Sequence, residues 1–138
     1  MTTLASRSLE QALLALFKTD ETLIAQLGGT RLYDEPKRDC PFPYITLATS
    51  YSRDWSTGTE KGDEHRVIIT LWTGANDRER HQEICARLRS ILEAAELSLT
   101  DHTLVNLQIE RLDIRSDRKA HLLQGVMQVR AVTEESTG

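Results

Sequence analysis

Residues 44–72 read YITLATSYSRDWSTGTEKGDEHRVIITLW, two strand-like runs joined by a polar connection. In the first run Tyr44, Thr46, Ala48 and Ser50 alternate with Ile45, Leu47, Thr49 and Tyr51. That spacing gives a strand with one mostly apolar face and one mixed face. In the return run Val67, Ile69 and Leu71 point one way, and Arg66, Ile68, Thr70 and Trp72 the other. Its β-branched content favours strand over helix. The connection, RDWSTGTEKGD from Arg53 to Asp63, carries turn chemistry at Ser56-Thr57-Gly58 and at Lys61-Gly62-Asp63. About eleven residues stand where two commonly suffice for a hairpin, which asks for a use of the extra length.

Outward toward the N-terminus, three prolines in EPKRDCPFP exclude helix and central strand, so Glu35–Pro43 reads as a surface crossing. Arg31 to Asp34 is a short extended piece before it. Two helices precede that. Leu9, Ala12, Leu13, Leu16 and Phe17 make one apolar stripe ending near Lys18, with Ser6 or Ser8 as the expected cap. Asp20 caps a short second helix that buries Leu23, Ile24 and Leu27 and stops at Gly28-Gly29.

Toward the C-terminus, Asn76 or Asp77 caps the longest helix, expected to reach about Ala95 with Ile84, Cys85, Leu88, Ile91 and Leu92 on its buried side. Its other face, with Arg78, Glu79, Arg80, Glu83, Arg87 and Arg89, reads as solvated or subunit-facing. A second pair of strands follows, about Thr103–Arg115 and His121–Val132, with a turn at Ser116–Lys119. Val105, Leu107 and Ile109 share one parity and Leu112 and Ile114 the other, which predicts a β-bulge near Glu110 or Arg111. Leu123, Met127, Val129 and Ala131 share the face opposite Gln124, Gln128 and Arg130, and residues from about 133 to 138 form a frayed tail. Two long hairpins separated by a helix predict an α+β fold, an antiparallel sheet with helices packed on one face, in a single domain over residues 1–138.

The totals narrow the function. At 138 residues the chain can bury a core without staples, but it is only 39% hydrophobic and 5% aromatic. That suits a small subunit burying further surface against copies of itself. A net charge of -4, with no run of Lys and Arg, argues against a binder that works by neutralising phosphates. Cys40 and Cys85 are no disulfide framework. Cys85 reads as a buried thiol and Cys40 as an exposed loop thiol, both at home in a reducing cytoplasm. Glu10, Gln11 and Lys18 interrupt the apolar N-terminus, so neither a signal sequence nor a membrane span is expected.

A search for chemistry finds little. His65, His81, His102 and His121 are dispersed, outside any metal-ligand spacing, and read as surface or half-buried histidines. Walker, GxGxxG and GxSxG patterns are missing. Asp34 and Glu35 beside Arg38, Asp39 and Cys40 are open to two readings, an acid/base or ligand site and an ordinary polar loop. No catalytic, cofactor or metal residue is assigned. Trp55 stands out as a large aromatic in a polar connection. It either folds back on its own sheet or anchors an interface, flanked by charges of both signs at Arg53, Asp54, Glu60 and Lys61.

The succession LYDEPKRDCPFPYITL, RDWSTGTEKGDEHRVIITLW, a helix, then LVNLQIERLDIRSDRKAHLLQGVMQVRAVTE resembles the small tail-completion, or tail terminator, proteins of long-tailed phages. It is most similar to the branch found in prophages and gene transfer agents, formerly catalogued as a domain of unknown function. Pro43-Tyr44, Trp55, Thr57-Gly58-Thr59-Glu60, Leu71-Trp72 and Arg130-Ala131-Val132-Thr133 carry the likeness, which spans about Leu9 to Thr133. The resemblance implies a non-enzymatic structural protein with no cofactor. It forms a ring, usually a hexamer, on the head-proximal end of the tail tube, stops tube polymerisation and meets the head connector. The implied partners are copies of itself, the tail-tube protein and the head-tail connector protein, with no membrane and with DNA at most passing through the lumen. The implied location is the host cytoplasm during assembly and the virion tail afterwards. The resemblance also implies that the long hairpin and the sheet edges contact neighbouring copies, and by position Arg53, Asp54, Trp55, Thr57, Glu60 and Lys61 fall in that hairpin. A neck or head-completion protein at the same junction is the alternative, and a small enzyme or ligand-binding module is a more distant one.

Overall fold

Strand alternation decides which side chains face the core, and the apolar stripe of each helix decides where that helix lies. The structure, a computed structural model, describes residues 4–35 and 39–136. The chain forms α1 (Ala5–Lys18), α2 (Glu21–Leu27), β1 (Leu32–Tyr33), β2 (Tyr44–Asp54), β3 (Gly62–Gly74), α3 (Arg78–Glu93), β4 (His102–Asp117) and β5 (Leu122–Glu135). The five strands make one sheet in the order β1-β2-β3-β5-β4. β1 runs parallel to β2, and every other pair is antiparallel. This is the expected α+β fold, with one short parallel strand added.

Leu9, Leu13 and Phe17 of α1, Leu23 and Leu27 of α2, and Ile84 and Leu88 of α3 pack with Ile45, Leu47, Val67, Ile69, Leu71, Met127 and Val129. All these strand residues share one face, so the helices cover that face and leave the other bare. Burying each such side chain is worth about 1.5–3 kcal/mol, which makes this contact the main stabilising term.

Several helix ends differ from expectation. α1 starts at Ala5 with Leu4 at the cap position and no side-chain cap. Ser8 instead turns inward and donates to the Thr100 carbonyl at 2.8 Å, joining α1 to the loop before β4. Asp77 precedes α3 without bonding its first turn, and α3 ends at Glu93 rather than Ala95. The second helix follows prediction. Asp20 accepts from the Leu23 amide, and Gly28 closes the helix at φ 78°, a conformation that favours glycine.

Part of the α3 face expected to be solvated or subunit-facing engages α2 within the same chain. Arg87 makes a two-bond fork onto Asp20, the same carboxylate that caps α2. Arg80 donates twice to the Gln26 carbonyl. Two positions on one helix thus clamp both ends of its neighbour.

The strands run further than the polar residues suggested. β2 continues to Asp54 and β3 begins at Gly62, so the connection shortens to residues 55–61. β4 continues to Asp117, which moves the second turn to residues 118–121. β5 runs to Glu135, past the predicted end at Val132, because Thr133 is buried and bonded to His65. The bulge predicted near Glu110 lies between Ile109 and Arg111, and two others lie between Leu104 and Asn106 and between Thr49 and Tyr51. Val105 is therefore an exposed bulge residue, while Leu104, Leu107 and Ile109 pack against the core.

Two histidines lie deeper than expected. His65 is fully buried between Ser52 and Thr133. His81 is fully buried with Nδ1 at 2.9 Å from the Thr73 hydroxyl. Gly125 leaves room for it, since a Cβ there would stand 2.7 Å from His81 Nε2 and 3.0 Å from Cys85 Sγ. Cys85 is buried as expected, and burial pushes its thiol up to about 11.

Candidate assembly surface

The bare sheet face takes its chemistry from strand parity. Residues 64, 66, 68, 70 and 72 of β3 point away from the helices, and their partners on β2, β5 and β4 do the same. The register sets Arg53 opposite Glu64, Glu64 opposite Val132, and Arg66 opposite Arg130. These pairings gather three arginines around one carboxylate. Arg53 Nε stands 2.6 Å from Glu64 Oε1 and Arg130 Nε 2.6 Å from Oε2. Arg66 Nη1 lies 3.2 Å from Oε1 without the alignment of a hydrogen bond, and Arg66 Nε is 2.7 Å from Glu110.

Glu64 is only 2% exposed, covered by the guanidinium groups that pair with it. The Arg53 hydrogen bond, opposed by burial and helped by Arg130, holds its carboxyl at about 2, well below the usual carboxylate range. Three cations against Glu64 and Glu110 leave this part of the face cationic, although the chain is acidic overall.

Trp55 rests on this cluster. Its ring lies 5.0 Å from the Arg53 guanidinium and 5.5 Å from that of Arg130, and it is 47% exposed. Two cation–π contacts at a half-exposed site are worth roughly 0.5–1 kcal/mol each, enough to orient the ring without burying it. Trp55 therefore lies outside the helix-covered core, on the surface of its own sheet. Tyr51, 46% exposed, lies on the same face opposite Arg66, whose guanidinium stands over its ring at 5.8 Å.

The structure separates the six predicted contact residues by role. Arg53 and Trp55 present surface. Asp54 accepts from the Ser56 amide at 3.0 Å and from the Ser56 hydroxyl, an Asx turn that starts the connection, and these bonds lower its pKa. Thr57 and Glu60 exchange bonds, 2.9 Å from the Thr57 amide to the Glu60 carbonyl and 3.2 Å from the Glu60 amide to Thr57 Oγ1. The Lys61 carbonyl accepts from the Glu135 amide at 2.9 Å, tying the arm to the end of β5. The bonds at Asp54, Thr57, Glu60 and Lys61 thus shape the connection that carries Trp55, and all six residues are exposed. Beneath the arm, Asp54, Ser56, Lys61, Asp63, His102 and Glu135 line an open cleft of about 360 Å³.

Glu64, Arg66 and Glu110 were missed in the sequence. Acid and base at 64 and 66, on the parity of Ile68, were the available signal, but their partners lie on other strands. At the far end of the same face, Phe42 stacks on Tyr44 at 5.8 Å and Tyr44 on Trp72 at 5.7 Å, with Tyr33 edge-on to Tyr44.

The region of the enzyme alternative shows less. Asp34 and Glu35 are exposed, and Cys40 Sγ lies 3.4 Å from the Tyr33 hydroxyl. Arg38 lies outside the described residues. Among the described residues no group of three or more His, Cys, Asp or Glu is placed to hold a metal ion, and no helix is long and apolar enough to cross a membrane.

A sheet covered by helices on one side, with an aromatic–arginine arm on the other, makes this a small α+β protein. The sequence profile of the family described as tail completion protein gp17 matches residues 11–134, and the chain belongs to that family. Its fold matches a chain from the virion of a native gene transfer agent particle, with 27% identity, a TM-score of 0.83, and coverage of 96% of this chain and 99% of that one. It also matches the gp17 protein of bacteriophage SPP1, with 22% identity, a TM-score of 0.63, and coverage of 99% and 96%, a likeness of fold. A search of curated protein sequences gives no match. The role of the chain is structural, in completing a phage-type tail, and its place when assembled is the virion tail.

Proposed function

We propose that copies of this chain close into a ring, six being the number the family resemblance implies, on the head-proximal end of a tail tube. The ring ends tube polymerisation and presents its other side to the head connector. Assembly takes place in the host cytoplasm, and the chain catalyses no reaction. Arg53, Asp54, Trp55, Thr57, Glu60 and Lys61 form the arm that reaches a neighbouring copy or the tube.

The observation that carries this reading is the placement of Trp55. A half-exposed indole, held in one orientation by Arg53 and Arg130 on a hydrogen-bonded arm, has the composition of an interface anchor. A head-to-tail contact between copies yields a closed ring where the rotation closes and a filament where it does not. Passing DNA meets an acidic protein that does not hold it.

Size exclusion with light scattering, alone and with tail-tube protein, tests the proposal. A ring mass, or a monomer that becomes a ring on tube ends, is the expected result. A strict monomer at high concentration that ignores tube protein contradicts it, and binding to a portal-side protein instead points to head completion.

A further inference from the structure

The two faces of the Trp55 arm differ in charge. On the bare face Arg53 and Arg130 each give Glu64 a single nitrogen, Nε, at 2.6 Å. Among the described residues neither makes a hydrogen bond through Nη1 or Nη2. Elsewhere the arginines close on their partners with two nitrogens. Arg87 gives Asp20 both Nε and Nη2, and Arg80 gives the Gln26 carbonyl the same pair. Glu64 thus fixes two guanidinium groups and leaves their Nη ends open, with the half-exposed Trp55 ring against both. A guanidinium end held open in one orientation is preorganised for a carboxylate. Glu110, paired with Arg66, and Glu134, in the row of Gly62, border the cluster. That border suits separate carboxylates and disfavours a continuous run of phosphates.

The other face of the same arm supplies carboxylates. Asp54 stands opposite Asp63, Asp63 opposite Thr133, and His102 opposite Glu135, and Thr133 is buried on the helix side. The cleft of about 360 Å³ lined by these residues therefore opens on that side, with room for one large side chain. Its lining sets Asp54, Asp63 and Glu135 against Lys61 and His102. Asp54 is engaged by Ser56, while no hydrogen bond among the described residues ends on the Asp63 or Glu135 carboxylate.

We infer that the Trp55–Arg53–Arg130 surface of one copy seats against the Asp63–Glu135 cleft on the opposite face of the next copy's arm; this rests on the ring reading above and names what the arm meets. The occupant is a second copy because this chain presents both halves, opposite in charge and on opposite faces of one element. The open Nη ends meet the open carboxylates, and the exposed part of the indole fills the cleft. Opposite charge across the joint penalises the like-charged pairings, arm to arm and cleft to cleft, so the contact is head-to-tail. Every copy then uses each half once, and the contact repeats until the rotation closes it. The joint runs through the faces of the arms rather than along strand edges, and it brings Arg130 of β5 into the contact beside the hairpin residues.

Charge reversal in trans tests the inference, with tail-tube protein present where the wild type needs it to assemble. Arg53→Glu reverses the cationic half, and Asp63→Arg with Glu135→Arg reverses the acidic half. Each preparation alone is expected to associate roughly tenfold or more weakly than wild type by light scattering. An equimolar mixture should recover the ring, because each reversed half fits the other in an alternating assembly. Arg53→Glu stands against Glu64, so its melting temperature is measured first. If it does not fold, Trp55→Cys and Glu135→Cys, prepared separately on a Cys40→Ser background, decide instead. Their mixture is then expected to give a covalent heterodimer under mild oxidation, well above the dimer either gives alone. If the wild type assembles but the folded reversed variants assemble equally well, or mixing restores nothing, the joint is overturned while the ring stands. A cysteine mixture without excess heterodimer overturns it in the same way. If the wild type stays monomeric even with tube protein, the ring reading falls and this inference falls with it.

Discussion

Arg130 and Glu64, 66 residues apart in sequence, stand 2.6 Å from each other across β3 and β5. Arg53 reaches the same carboxylate from β2, so one side chain ties together three strands and the base of the Trp55 arm. Truncating one member of such a cluster strands the others, which costs more than the cluster contributes as a whole.

Glu64→Gln is accordingly expected to lower the melting temperature at neutral pH and to loosen the arm. The folded carboxyl sits at about 2, against an ordinary value of 4.5. A lowered carboxylate pKa stabilises the fold fully above the unfolded value, and that contribution disappears as pH falls through the folded one. The melting-temperature gap between wild type and Glu64→Gln should be constant above about pH 5 and shrink between roughly pH 4.5 and 2. A gap that does not change over that range contradicts the assignment.

His65 and His81 act in a separate window. Burial depresses both pKa values below 6.5; Asp63 opposes this at His65, and Arg78 adds to it at His81. A histidine with a depressed folded pKa is protonated first in the unfolded chain, so stability is complete above pH 6.5 and declines as pH drops below it. Urea midpoints measured from pH 7.5 to 5 should fall, and His81→Gln should flatten the decline. A midpoint independent of pH over this range contradicts neutral burial.

Gly125→Ala puts a methyl group against His81 and Cys85 at the distances given above. The expected loss is about 1–3 kcal/mol in chemical denaturation, as for other overpacked cores. Combining it with His81→Ala should cost less than the sum of the two single changes. Full additivity would show that His81 is not what the methyl group meets.

Asp20 caps α2 and receives Arg87, so Asp20→Ala removes two functions at once. A loss of about 1–2 kcal/mol is expected, with Asp20→Asn recovering part of it because the amide oxygen still caps. Equal losses for the two variants would assign the effect to the ion pair alone.

The parts of the fold legible in the sequence were those governed by local periodicity. The helix stripes, the Asp20 cap, the Gly28 stop, the Glu110 bulge and the strand parities, except at Val105 where a second bulge intervenes, depend on residues within a few positions of one another. Strand ends were misjudged where the last residues are polar but paired across the sheet, as at Asp54, Asp117 and Thr133. His65 and His81 were read as more exposed than they are, because the hydroxyls that satisfy them come from Ser52, Thr133 and Thr73. On the bare face, Trp55 was legible as a large aromatic out of place in a polar connection, with Arg53 only one of the charges flanking it. Glu64 was not, since an isolated acid in a charged stretch gives no sign of arginines gathered from β2 and β5. The same limit hid Arg87 and Arg80, whose partners lie on α2.

The central claim is that Trp55 serves association rather than folding. Light-scattering mass and melting temperature, measured on wild type and Trp55→Ala in the presence and absence of tail-tube protein, test it most directly. The account predicts that Trp55→Ala weakens ring formation or tube binding by tenfold or more, a loss of about 1.4 kcal/mol or greater, and moves the melting temperature by only a few degrees. A sharp fall in melting temperature with association intact would contradict it.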